Sequence, residues 1–288
     1  MKKLIISMIC FVCICVLSFG QAQRVTYANK KQIEDFFQSK TMVVMDANPL
    51  TGWNIVVDDA VKKYWTITPC EIITSDQFDK NKSDPALSFI FLSKVQLEKD
   101  KQEVYYLYMN VVMGAKVKDL TGLPELLSLP LAYSGVDEDE YVDKLPLMLR
   151  FAQIHLNNLK DAKNLNTYYI LKNYGNNSKS LIDKTLLVKD SDLSEEMNTL
   201  EKIAKEYSGT VKIVTPEEMT QAIEEQTPNT AVLHQVGPAE NENKGRSYCL
   251  IFGTDDANLY YYNHQNITQK RPEGMLASDF RLILGKGF

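Results

Sequence analysis

The chain has no excess of positive charge, no cluster of metal-ligand residues and no glycine-rich loop. Each absence excludes a class of function. Across 288 residues there are 32 Lys and Arg against 37 Asp and Glu, a formal charge of −5. No basic stretch breaks this balance, and a nucleic-acid partner is excluded because phosphate binding relies on clustered cations. There are only three histidines, at 155, 234 and 264, and no two stand at metal-ligand spacing. The sequences GAK, GTD and GKG are isolated glycines, so no phosphate-cradling loop is present. Cysteine is scarce too. Of five, three lie within the first twenty residues, leaving Cys70 and Cys249.

One apolar run exists, and it opens the chain. Lys2 and Lys3 precede Leu4 to Leu17, and Ser18-Phe19-Gly20 supplies small residues before Gln21. That order predicts a signal peptide over residues 1–20, too short to anchor the mature chain in a membrane. The expected address is periplasmic or secreted. Without Lys2 and Lys3 the 32 basic residues become 30 against 37 acidic, and the balance falls to −7. In an oxidising envelope Cys70 and Cys249 are candidates for one disulfide, although both lie in apolar, strand-like runs that also suit buried free thiols.

The remaining sequence states one plan twice. Lys40-Thr41 and Asp46 recur as Lys184-Thr185 and Asp190, with Trp53-Asn54 falling on Met197-Asn198. After a three-residue deletion, Thr74 to Phe78 falls on Thr215 to Met219, and FIFL at 89–92 on TAVL at 230–233. Each copy opens with a short apolar run (TMVVM or TLLV) typical of a strand buried on both faces. A helix follows, then a second strand (CEIIT or VKIVT) and a helix with Thr74 or Ser75, or Thr215, as N-cap and Pro216 at its start. A third strand leads through a charged loop into a hairpin, and a helix closes each copy, over 141–160 and 274–284. In the second copy Met197, Leu200, Ile203, Ala204 and Tyr207 predict one helix starting just after Ser194.

The expected fold is therefore α/β: two tandem similar repeats, 21–160 and 184–288, each a mixed sheet. Residues 161–183 connect them, with GNNSKS as the turn-forming part. We expect the two repeats to pack as pseudo-twofold partners.

Strand one ends in an acid in both copies, Asp46 and Asp190. Ligands of open α/β sheets bind outside the carboxyl ends of strands, so both are candidate binding residues, and both also suit turn or cap roles. LLVKDSDLS resembles the first motif of haloacid-dehalogenase-like phosphotransferases. The resemblance implies Asp190 as nucleophile, Asp192 as general acid and Ser194 in place of the usual Thr. Asp255 and Asp256, which follow CLIFGT, would be magnesium ligands. Lys189 departs from the family's apolar strand, and the first copy, DANPL, has no second acid. The acidic stretch VDEDEYVD at 136–143 is expected to favour the positive end of the following helix. The tyrosines at 105, 106, 108 and 260–262 suit strands, and offer a candidate face for sugar or peptide.

The MKKLI start, the FGQAQ junction and the acidic duplicated body resemble exported proteins of Bacteroidetes-type bacteria. The element order is similar to small α/β domains of envelope-assembly proteins. Together these imply a non-catalytic binding or assembly protein of the cell envelope, with a protein, peptide or glycan partner and no cofactor. The alternative is a magnesium-dependent phosphoryl-transfer hydrolase using Asp190 and Asp192.

Overall fold

The computed structural model describes residues 25–97, 104–238 and 244–285; the expected signal peptide lies outside them. The first half carries α1 (Lys30–Phe36), β1 (Lys40–Val44), α2 (Gly52–Tyr64), β2 (Cys70–Ile73), α3 (Ser75–Asn81), β3 (Leu87–Val95), β4 (Tyr106–Met113), β5 (Glu125–Tyr133) and α4 (Leu145–Asp161). A helix α5 (Thr167–Asn177) and a 3₁₀ turn over Ser178–Asp183 lead to the second half. That half carries β6 (Thr185–Val188), α6 (Leu200–Glu206), β7 (Val211–Ile213), α7 (Pro216–Glu224), β8 (Thr230–Val236), β9 (Arg246–Gly253), β10 (Leu259–Asn266) and α8 (Ala277–Ile283).

The sheets run β2-β1-β3-β4-β5 and β7-β6-β8-β9-β10, so the duplication is structural. In each, the first three strands pair in parallel and the last two join antiparallel. Local chemistry fixes the helix starts. Thr74 and Thr215 both cap with full capping boxes, closed by Gln77 and Glu218. The helix expected from Ser194 onward is interrupted. A 3₁₀ turn covers Glu195–Met197, and α6 starts anew from Thr199, whose hydroxyl accepts from the Lys202 amide. Ser194 instead donates its hydroxyl to the Met275 carbonyl. The turn expected at GNNSKS is instead the end of α5 and the start of the 3₁₀ turn.

Each sheet buries both faces. In the first, Val43, Ile90 and Val111 pack with Trp53 and Val57 of α2 and Met148 of α4, while Val44, Phe89 and Val112 pack with Phe78 of α3. In the second, Leu186, Val188 and Leu233 meet Ile203 of α6 and Phe280 of α8. The opposite face, with Val232, Leu250 and Phe252, meets Met219 and Ile223 of α7 and joins the first half's core. The link is α4. Its Phe151 ring lies 5.1 Å from Phe252, and its Arg150 guanidinium donates to the Thr254 and Asp255 carbonyls, both at 2.7 Å.

The pseudo-twofold expectation is therefore corrected. Under a twofold, both halves would present the same surface to each other. Here the first half offers its closing helix and the edge of its sheet, and the second receives them on the face of its middle helix, α7. The counterpart of α4 in the second half is α8, which packs against α6, with Arg281 paired to Glu206 at 2.9 Å. The halves stack head to tail.

Of the acids of 136–143, Glu138, Glu140 and Asp143 lie in two 3₁₀ turns ahead of α4, not in its first turn, and serve other elements. Glu138 accepts from the Gly52 amide at the start of α2. Asp143 accepts from Thr220 of α7 at 2.9 Å. Glu140 pairs with Lys189.

Candidate functional site

The ends of the opening strands place the sequence candidates in unlike settings. Asp46 is exposed, and its carboxylate accepts from the Asn48 amide at 2.8 Å, an Asx turn that Asn54 reinforces by donating to the Asp46 carbonyl. Asp190 is exposed at the start of a 3₁₀ turn, Asp190–Asp192. Asp192, two residues on, is only 3% exposed.

Asp255 and Asp256 lie elsewhere. Asp255 pairs with Lys184 at 2.6 Å and accepts from the Asn229 amide, while Asp256 accepts from the Tyr260 hydroxyl at 2.6 Å. Lys184 precedes β6 and Asp190 follows it, so the two acidic pairs stand at opposite ends of that strand, roughly 15–20 Å apart at strand rise. The four carboxylates do not converge. Among the described residues no group of three or more His, Cys, Asp or Glu is placed to hold a metal ion. Cys70 and Cys249 are both free thiols in different sheets, so the bridge is not formed. Burial pushes both thiols' pKa up, most strongly for Cys249.

Around Asp192 the halves enclose an ionic cluster. Lys189, the residue that departs from an apolar strand, reaches across to Glu140 and lies 3.6 Å from Asp192. Lys144, 5% exposed, donates to the Glu140 carbonyl at 3.2 Å. His234 on β8 donates from Nε2 to the Pro130 carbonyl at 3.1 Å. Two buried atoms in the cluster, Asp192 Oδ2 and His234 Nδ1, lack a hydrogen-bond partner. Burial raises the Asp192 carboxyl, against the pull of Lys144 and Lys189, and lowers the Lys144 amine.

An apolar groove of about 630 Å³ follows β5. One wall is the outer face of the first sheet, with Phe91, Asn110 and Val112, and the other is formed by α4, α5 and Leu250, Leu259 and Tyr262 of the second sheet. Its rim exposes apolar side chains: Tyr27 is 64% exposed, and Val25, Leu120 and Leu171 exceed 40%. Two ionisable lining groups are shifted towards their neutral forms. Burial pushes the Glu125 carboxyl up to about 7 and the His155 imidazole down to about 4. His155 donates from Nε2 to the Leu126 carbonyl at 3.1 Å and accepts at Nδ1 from the Tyr174 hydroxyl at 2.8 Å.

No family model, curated protein or solved structure matches the chain. Its site is read from geometry alone.

The sequence pointed to Asp192 only through the resemblance of LLVKDSDLS to a phosphotransferase motif, a reading that missed Lys144, Lys189 and His234 as its neighbours. Lys189 carried a signal: a lysine closing an otherwise apolar strand calls for a buried acid. The tyrosines serve as strand residues and are mostly buried, so the candidate tyrosine face is not exposed. Tyr106 and Tyr108 meet Tyr248 between the halves, and the Tyr108 hydroxyl donates to that of Tyr248 at 3.0 Å.

Proposed function

We propose that the chain is an exported, non-catalytic binding protein of the cell envelope, whose groove along β5 receives the acyl chain of an amphipathic ligand. The carrying observation is the groove itself, within the size range of ligand pockets, apolar on both walls and open at an apolar rim.

The edge of β5 bears on the ligand class. A peptide commonly binds such an edge by adding a strand. Here part of the edge is already engaged. Glu125 exchanges bonds with Thr26 and Ala28, His155 donates to the Leu126 carbonyl, and His234 to that of Pro130, which itself has no N–H. These contacts interrupt the stretch that a strand would pair with, whereas an acyl chain needs only apolar walls. Phosphoryl transfer at Asp190 and Asp192 gains no support, because Asp255 and Asp256 stand at the far end of β6 and Lys189 occupies the space beside Asp192.

Delipidated protein titrated with a fluorescent fatty acid tests the reading. We expect one saturable site, weakened at least tenfold in Ser128→Trp, which fills the groove, and in the rim pair Leu120→Asp with Leu171→Asp. Binding that is absent, or indifferent to all these changes, refutes it, as does saturable turnover of a small substrate.

A further inference from the structure

Backbone hydrogen bonds gather exposed apolar side chains at the mouth of the groove. Residues 25–27 run beside the 3₁₀ turn Leu120–Gly122 that precedes β5. The Thr26 amide donates to the Thr121 carbonyl at 3.2 Å, and the Glu125 amide to the Thr26 carbonyl at 2.7 Å. Val25, Tyr27 and Leu120, all exposed, are thereby held in one cluster, and exposed Leu171 of α5 stands on the other wall. Apolar side chains displayed together at a rim mark a docking surface.

Charge says what that surface meets. Lys116 and Lys118 are exposed on either side of Val117, whose side chain lies against Gly122 of the same turn. Lys172 is exposed next to Leu171, and Lys94, also exposed, lines the groove near the end of β3. Among the described residues no salt bridge engages any of these lysines. Of the acids nearby, Asp119 accepts from the Thr121 hydroxyl at 2.6 Å, and Glu125 is shifted towards its neutral form. The chain as a whole is negative, so an anionic surface is attracted at this mouth and repelled on average elsewhere.

We propose that the mouth docks on the surface of an anionic lipid bilayer. Val25, Tyr27, Leu120 and Leu171 enter the headgroup layer, while Lys94, Lys116, Lys118 and Lys172 meet lipid phosphates. The inference rests on the acyl-groove reading for its purpose, and names where the ligand comes from. An acyl chain enters the groove straight from lipid when the rim is seated there, without crossing water. Neither signal binds firmly alone; a few apolar side chains and a few cations act together.

Co-sedimentation of the mature, ligand-free chain with vesicles tests this, using phosphatidylcholine alone and phosphatidylcholine mixed with phosphatidylglycerol. We expect binding to the mixed vesicles only, lost as salt rises. Each lysine near such a surface is worth about fivefold in affinity at low salt. Lys116→Glu, Lys118→Glu and Lys172→Glu combined should therefore weaken vesicle binding by roughly tenfold or more. The same variant should bind soluble fluorescent fatty acid like wild type, since none of the three lines the groove. Ser128→Trp should do the reverse, so loss of the groove reading and loss of the docking face are told apart. The proposal is overturned if wild type stays off anionic vesicles, if neutral vesicles serve as well, or if the lysine variant binds like wild type. It is overturned too if this face joins two copies, seen as a dimer that Tyr27→Asp with Leu171→Asp makes monomeric.

Discussion

Replacing His155 by glutamine should tilt the stability of the protein towards acid, and Glu125→Gln should tilt it the other way. His155 is buried and takes a proton only near pH 4 when folded, against 6.5 when unfolded. Below pH 6.5 the unfolded state therefore binds more protons, and stability falls with pH until about 4. The full difference corresponds to about 3 kcal/mol. Glu125 works in the opposite sense. Its folded carboxyl protonates near 7, against 4.5 unfolded, so stability rises as pH falls from about 7 to 4.5. The same arithmetic gives at most about 3 kcal/mol, trimmed because this side chain is partly exposed. Over the shared window the two slopes oppose, and the wild-type curve conceals both. Urea unfolding from pH 7.5 to 4.5 on wild type and each single variant exposes them. Relative to wild type, His155→Gln should gain about 3 kcal/mol across that range and Glu125→Gln should lose a comparable amount. Both variants keep His234 and Asp192, so those titrations cancel in the differences. Two difference curves that stay flat with pH would refute the argument that burial in the groove sets these protonation states.

Lys189→Met should cost about 3 kcal/mol in urea unfolding, because it leaves Asp192 buried beside one cation fewer, and adding Asp192→Asn should recover part of the loss. Reducing agent should leave the thermal midpoint of the mature chain unchanged, since Cys70 and Cys249 are free; a drop of several degrees would show a bridge.

The order of elements was legible because it is written locally. TMVVM and TLLV declare buried strands, and Thr74, Thr215 and Pro216 declare helix starts whichever way the halves pack. Three things were not legible, each because it depends on distant partners. Ser194 resembles an N-cap, but its hydroxyl serves Met275, 81 residues away. Pro130 looks unfit for a strand until β5 is known to lie at an edge. The acids of 136–143 suggested the helix that follows them, yet three of them bind Gly52, Lys189 and Thr220 in other elements. The motif resemblance paired Asp190 with Asp192, and only packing shows that the second is enclosed while the first faces solvent.

The head-to-tail stacking bears on how the molecule forms. Residues 184–288 are a repeat in sequence, yet their sheet depends for part of its cover on the first half, since Val232, Leu250 and Phe252 share a core with a helix ending at Asp161. A chain emerging from the ribosome carries that helix out first, so its second surface waits for a sheet still to be made. Expressed without its predecessor, the second repeat would show that apolar face to water and to its own copies. Duplication here produced two similar parts that share one core.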